Sequence, residues 1–384
     1  MPNPQTVGER LEEGALAGPG VPGLVSVVIP TYNRATIVRA AIDSVVGQSY
    51  SNVEVVVVDD GSRDDTRSVV ESYGLPVRYL HQVNSGVSAA RNRGFAAARG
   101  EFIALLDSDD AFLPWKLEAQ VRVLRAHPEV GMVWTDMAAV NERGEILDPK
   151  YLRTFYDAHA LARLEDVLEH AGPLSNMWPD APQDVRWAPV YAGDIFSQML
   201  LGNLVHTSTV VLRRDRLRLT GGFDTALTHS GEDYEFHLRT CSHGPVALID
   251  ASSLLYRVGA ADQLTAPELG IHRARNNLTT VLRWLERGAG RIQLSPRTVR
   301  DRLAQAFRWV GEAELEYGDR AKARENLWTS LRYAPTRRGT ALLLLFACLP
   351  PAALHAARRL KRLARRAVKT VSARSTPRAT SAAG

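Results

Sequence analysis

Cysteine is almost missing from these 384 residues: only Cys241 and Cys348 occur, far apart and without metal-ligand spacing. That argues against a structural disulfide and fits a reducing cytoplasm. No Gly-x-Gly-x-x-Gly turn and no Walker phosphate loop is present, so a dinucleotide oxidoreductase and an NTPase both lose support. No apolar run reaches the roughly 20 residues that a spanning helix needs; the nearest, Thr340 to Leu354, is interrupted by Pro350-Pro351. The first 24 residues lack the basic start and apolar stretch of a secretory signal. With Glu9, Glu12, Glu13 and several Gly and Pro, they read as a disordered lead-in. Acids are missing from the other end: His355 to Gly384 holds nine Lys or Arg and no Asp or Glu. The preceding 354 residues therefore carry 38 basic and 42 acidic groups, a net of −4 beneath the whole-chain +5. By charge, the body of the protein is not a nucleic-acid-binding surface.

What is present is an alternation. Val25 to Ile29 is a β-branched run that reads as a buried strand, broken by Pro30-Thr31-Tyr32-Asn33. Ala35 to Val46 has apolar residues at helical spacing, and Val53 to Val58 is a second strand ending in Asp59-Asp60-Gly61-Ser62. Ser62 is placed to cap the next helix, with Asp65 three residues on. Val77 to Leu80, an Ala-rich helix over Ser88 to Ala98, Phe102 to Leu106 and a helix over Trp115 to Ala126 continue the pattern. Strand alternating with helix predicts a mainly parallel sheet covered on both faces. Ligands then sit beyond the carboxyl ends of the strands. The three clusters Pro30-Thr31-Tyr32-Asn33, Asp59-Asp60 and Asp107-Ser108-Asp109 would share that rim.

The run Gly100 to Leu106 passes abruptly into Asp107-Ser108-Asp109-Asp110. Carboxylates this close resist ionising beside one another. If the strand stays extended, Asp107 and Asp109 point to one side. A hard cation, Mg²⁺ or Mn²⁺, would relieve the conflict and bridge to a diphosphate; a polar turn is the plain alternative.

From Gly131 the alternation lapses. Met132 to Thr135 and Val210 to Leu212 read as strands, with the irregular stretch Asp148 to Leu201 between them, of the kind that forms a lid or binding loop. Gly221-Gly222-Phe223-Asp224 is a turn, Gly231-Glu232-Asp233 opens a helix, and Val246 to Ile249 and Ser253 to Arg257 are strands. After Ala266 the chain reads as helical. Phe307 to Pro335 resembles one tetratricopeptide unit, or equally a plain helical hairpin. The tail from Arg358 to Lys369 alternates basic residues with Leu360, Leu363 and Val368, a pattern suited either to an anionic membrane surface or to a solvated end.

Six of these pieces, in this order, resemble a family-2 glycosyltransferase: Val27 to Arg34, Val57 to Ser62, Asn84-Ser85-Gly86 with Ala90-Arg91-Asn92, Asp107 to Asp110, Gly221 to Asp224, and Gly231 to Tyr234. The resemblance covers about Val25 to Arg257. It implies the inverting GT-A fold, a Rossmann-like, mainly parallel α/β sheet flanked by helices, here with a C-terminal helical extension. The implied division is a lead-in over 1–24, a transferase domain over 25–265 with a nucleotide half (25–130) and an acceptor half (131–265), a helical extension over 266–336 and a tail over 337–384.

The implied activity is transfer of a sugar from a nucleotide-diphosphate donor, UDP- or dTDP-linked, to a hydroxyl acceptor, with inversion, in surface polysaccharide, glycolipid or glycoconjugate synthesis. The donor would meet Pro30, Tyr32, Asp59, Asp60, Arg91, Asp107 and Ser108. Asp60 would accept the imide N–H of the base, Asp59 would shape the turn, and Tyr32 would stack on the base or else belong to the core. Arg91 would meet diphosphate or base, or lie on a helix surface. Asp109, with Asp107, would hold Mn²⁺ or Mg²⁺, Asp107 alternatively touching the ribose. Asp233 would be the general base, with Glu232 the alternative. One departure stands out: Tyr256-Arg257 is followed by Val258-Gly259-Ala260-Ala261, where the family often carries a histidine that helps hold metal or diphosphate. A sugar nucleotidyltransferase and an inactive, transferase-like binding protein are the competing readings. Against the first, Pro30-Thr31-Tyr32-Asn33 occupies the place of a Gly-rich basic loop. The expected location is the cytoplasm, with peripheral contact at the inner membrane face through the tail.

Overall fold

A computed structural model describes residue 16, residues 18–259 and residues 270–349. Most of the lead-in and the basic tail lie outside the described residues. Two compact units are present, Met1–Pro296 and Arg297–Gly384.

The first unit opens with β1 (Val21–Thr31), α1 (Val38–Val46), β2 (Val53–Asp59), α2 (Thr66–Glu71), β3 (Val77–His81), α3 (Val87–Ala97) and β4 (Gly100–Leu105). Strand β1 starts at Val21, before the apolar run, because the Val21 amide bonds the Arg99 carbonyl (2.8 Å) and pairs with Gly100 across a register shift. These four strands lie parallel in the order β3-β2-β1-β4. Val25, Val27, Val28, Ile29 and Val55 to Val58 are fully buried, each such side chain contributing about 1.5–3 kcal/mol by leaving water. Helix α3 crosses β1 at Gly94, where an added Cβ would lie 2.2 Å from Val28 Cγ1. The expected Ser62 cap is absent. Ser62 Oγ instead accepts from the Asn33 amide (2.8 Å), while Asp64 accepts from the Thr66 amide (3.1 Å) at the start of α2.

Beyond β4 come β5 (Ala111–Phe112), α4 (Lys116–Ala126), β6 (Met132–Val140), β7 (Ile146–Asp148), α5 (Leu152–Phe155), α6 (His159–Ala162), β8 (Glu169–Pro173), β9 (Pro189–Gly193), α7 (Phe196–Met199), β10 (Val211–Arg213), α8 (Arg214–Thr220), α9 (Glu232–Cys241), β11 (Val246–Arg257) and α10 (Gly270–Arg287). The sheet continues from β4 as β10-β6-β11-β9-β8. The two strands expected at 246–257 are one, its register shifting between Ile249 and Leu254. Strand β10 is antiparallel to both β4 and β6, and β11 is parallel to β6. The segment leading into β10 and the end of β11 therefore both face the rim at which β1, β2 and β4 finish.

The second unit holds α11 (Pro296–Tyr317), α12 (Arg320–Tyr333) and α13 (Arg338–Cys348). Asp319 caps α12 by accepting from the Ala321 and Lys322 amides, and Ser330 Oγ bonds the Ala304 carbonyl (2.6 Å) to tie α12 to α11. No described helix is long and apolar enough to cross a membrane. Both cysteines are free.

Candidate active site

The rim begins at β2. Asp59 holds its own turn: one oxygen accepts from the Ser62 amide (2.8 Å) and the other from the Tyr79 hydroxyl (2.6 Å). Asp60 reaches across to the loop after β3, accepting from Gln82 Nε2 (2.7 Å) and the Ser85 amide (2.8 Å) on Oδ1 and from the Gly86 amide (2.8 Å) on Oδ2. A carboxylate offers about four acceptor positions, so Asp60 retains capacity on Oδ2. Pro30 pairs with Val58 inside β1. Tyr32 is 45% exposed, which removes the core reading and leaves its ring at the surface of the rim.

After Leu105 the chain turns. The Asp110 amide bonds the Asp107 carbonyl (3.1 Å), so Asp107 and Asp109 do not sit on an extended strand as the spacing implied. A three-residue reversal satisfies the backbone where the sheet ends. The turn parts the acids. Asp109 pairs with Arg34 (3.5 Å). Asp107 accepts from Arg91 Nη2 (2.7 Å) and its amide bonds Ser208 Oγ (3.1 Å). Ser108 and Asp110 are buried. Both Asp110 carboxylate oxygens are buried and, among the described residues, neither has a well-formed hydrogen bond. Burial, reinforced by the charges of Asp109 and Asp107, pushes its carboxyl well above the usual range; the Ser208 hydroxyl and the Arg257 amide only moderate that charge.

Arg91 is not on a helix surface. It is 4% exposed, bonds Glu232 Oε1 through Nη1 (3.0 Å) as well as Asp107, and stacks over Phe223 (4.9 Å). Its neighbour Asn92 clamps the Phe223 backbone with two bonds (2.7 and 2.9 Å). An added Cβ at Gly222 would meet Asn92 Oδ1 at 2.6 Å, so glycine is required there. Phe95, Phe223 and Phe236 stack behind this joint, fastening α3 to α9. Helix α9 starts from Gly231 at φ 96, a conformation that suits glycine. Glu232 is buried against Arg91; burial first, then Asp233, raises its carboxyl above the ordinary value. Asp233 is more open, and its Oδ2 accepts from Asn203 Nδ2 (3.1 Å) and the Tyr156 hydroxyl (3.4 Å).

Tyr156, Asn203 and His206 escaped the sequence reading. The last two lie in the segment that β10's reversed direction delivers to the rim. Its signal was the polar stretch Asn203 to Thr209 just before an apolar strand. Lys116, fully buried, and Gln120 both bond the Thr209 carbonyl (3.1 and 2.8 Å) and fix this turn. His206 packs edge-on to Tyr256 (5.1 Å between centroids) and Phe155 (6.0 Å); burial holds its ring toward the neutral form. Single ligating atoms of Asp107, Asp110 and His206 lie within 4.8 Å of one another. Two carboxylates, one with idle oxygens, and an imidazole form a donor set that fits a divalent cation.

Residues 26–167 match the model of glycosyl transferase family 2, and residues 102–364 that of glycosyl transferase family group 2. Relatives include an uncharacterized glycosyltransferase of Rickettsia felis, 40% identical over 32% of this chain and 21% of its own. The putative glycosyltransferase EpsH of Bacillus subtilis is 36% identical over 35% of this chain and 39% of its own. An uncharacterized glycosyltransferase of Haemophilus influenzae is 36% identical over 56% and 61% respectively. The chain thus spans less than two thirds of each of these relatives. Among solved structures, Staphylococcus aureus TarS in complex with UDP aligns at TM-score 0.48 and 18% identity, covering 82% of this chain and 89% of that one. The mannosyltransferase PcManGT of Pyrobaculum calidifontis, in complex with GDP-Man and Mn²⁺, aligns at 0.47 and 22%, covering 88% and 80%. With a family model spanning more than half its length, the chain belongs to the family-2 glycosyltransferases.

Proposed function

We propose that this chain transfers a sugar, with inversion, from a nucleotide-diphosphate donor to a hydroxyl acceptor, and that UDP- or dTDP-sugars are its donors. The observation that supports this reading is the single linkage Asp107–Arg91–Glu232, which sets the acidic rim beside the first turn of α9, where Asp233 also lies. Asp60 accepts the imide N–H of the base, a charge-assisted bond, and Tyr32 stacks on the ring. Asp59 keeps the turn in shape. Asp107, with Ser108 and Asp109 in the same turn, faces the ribose and diphosphate. Arg91 serves from behind as the counter-charge of Asp107 and Glu232. A Mn²⁺ or Mg²⁺ ion held at Asp107 and its acidic neighbours would neutralise the diphosphate as the nucleotide departs.

Asp233 is the base and Glu232 is not. Glu232 is committed to Arg91, whereas both donors on Asp233 fall on Oδ2 and leave Oδ1 to take the acceptor's proton. The acceptor oxygen then attacks the anomeric carbon opposite the departing nucleotide, through an oxocarbenium-like state. A glycan or lipid-linked glycan of the cell surface is the acceptor class, and the basic tail holds the enzyme against an anionic membrane.

The test is a panel of UDP-, dTDP- and GDP-sugars, scored by thermal shift with and without Mn²⁺ and then by transfer. Asp233→Asn is expected to bind donor normally in calorimetry and to lose turnover by about 10²–10⁴. Normal turnover in that variant would move the role elsewhere, and a panel without any binder would end the reading.

A further inference from the structure

The strand that should deliver a histidine to the donor site ends at Arg257 and passes into Val258-Gly259. The corner is not short of an imidazole. His206 enters it from the opposite direction, on the segment that β10's antiparallel course carries to the rim. Its ring packs against Tyr256 itself, at 5.1 Å between centroids. It is 7% exposed, has Asp107 and Asp110 as neighbours within 4.8 Å, and faces a buried Asp110 carboxylate that the Ser208 hydroxyl and the Arg257 amide only weakly support.

We infer that His206, with Asp107 and Asp110, ligates the donor-site cation and so replaces the histidine missing after Arg257. The inference rests on the sugar-transfer reading but names a ligand set that reading does not require. At bonds of about 2.1 Å, opposite ligands of an octahedral ion stand about 4.2 Å apart and adjacent ones about 3 Å. The three ligating atoms lie within 4.8 Å of one another, so binding one ion would draw them together by side-chain adjustment. Arg91 occupies Asp107 Oδ1 and leaves Oδ2 for an ion. The Ser208 amide donates to His206 Nδ1 at 3.3 Å, a long contact. Ligation through Nε2 would require the ring proton on Nδ1, which would end its acceptance from that amide. An imidazole among hard oxygens also shifts preference from Mg²⁺ toward a transition ion such as Mn²⁺.

The experiment uses the full chain with Mn²⁺ and UDP. Pulsed electron paramagnetic resonance should show ¹⁴N modulation from a directly bound imidazole, and His206→Gln should abolish it. The same variant should raise the Mn²⁺ dissociation constant at least tenfold while narrowing the preference for Mn²⁺ over Mg²⁺. Asp110→Asn should weaken Mn²⁺ comparably. Should His206→Gln fail to fold, the wild-type spectrum and Asp110→Asn decide the matter. Bound Mn²⁺ without imidazole coupling, or coupling that survives in His206→Gln, overturns the ligand assignment and leaves sugar transfer intact. Absence of Mn²⁺ binding with UDP present overturns both the assignment and the cation's place in the proposed reaction.

Discussion

At the scale of single residues, Arg91 is where the site is joined. It is buried between two carboxylates contributed by residues 107 and 232, and removing one partner from such a group leaves the others charged and unsolvated. Arg91→Ala is expected to lower stability by about 3–5 kcal/mol, measured by urea unfolding. Arg91→Lys should restore only part of this, because a point charge cannot serve two carboxylates from one planar fork. A neutral effect of Arg91→Ala would mean that Glu232 is protonated and needs no counter-charge. The sequence pointed to Arg91 only through a motif. Its role stayed hidden because Glu232 lies 141 positions away, and no local pattern reports a contact across that distance. The exposure of Tyr32 could be anticipated from its place in the Pro30-to-Asn33 break, but that break alone left the core reading open, since Ser108 and Asp110 after β4 are buried.

At the scale of elements, the strands and helices of the first 130 residues follow from β-branched runs and helical spacing. Two features do not. The turn after β4 overrode the extended geometry that an Asp-x-Asp spacing suggests, and β10, three residues long, is too short for periodicity to show its direction. Yet that direction places Asn203 and His206. Packing between elements gives a sharp test at Gly94, where α3 lies on β1. Gly94→Ala forces a methyl into Val28 and should destabilise by about 1–3 kcal/mol; an unchanged melting temperature would show that the helix can lift from the sheet. Helix α6 supplies a pH test. Burial pushes the His159 ring down to about 4, its Nε2–H donating to the Leu204 carbonyl. An unfolded histidine takes up its proton near pH 6.5, so the unfolded state binds more protons between that pH and about 4. Stability is therefore full above pH 6.5 and falls as the pH drops through this window, by at most about 1.4 kcal/mol per unit. His159→Gln should flatten that part of the acid unfolding curve. A curve of unchanged slope would assign the acid sensitivity to other groups.

For the molecule as a whole, charge is divided along the chain. Removing residues 355–384 takes nine cations from a chain of net +5 and leaves −4. That truncation should cut co-sedimentation with anionic vesicles, the full-length binding itself fading between low and physiological salt. Equal sedimentation of both forms would dismiss the tail as a membrane contact. The division of charge was legible in the sequence, because net charge is additive over residues and needs no fold to read.

Strand β6 lies between β10 and β11, and all nine of its residues are buried. Strand β7 pairs with the last two residues of β6 soon after it is made, but β10 and β11, which cover the rest of its edges, follow some 70 to 115 residues later. A nascent chain halted near residue 200 therefore presents an apolar ribbon with one edge bare and the other covered only at its end, the kind of surface that recruits other strands. Synthesis of this chain thus passes through an interval, ending only when β11 is made, in which that ribbon has to be shielded by a chaperone or by speed of elongation, and His206 and Glu232 emerge before the strand that closes it.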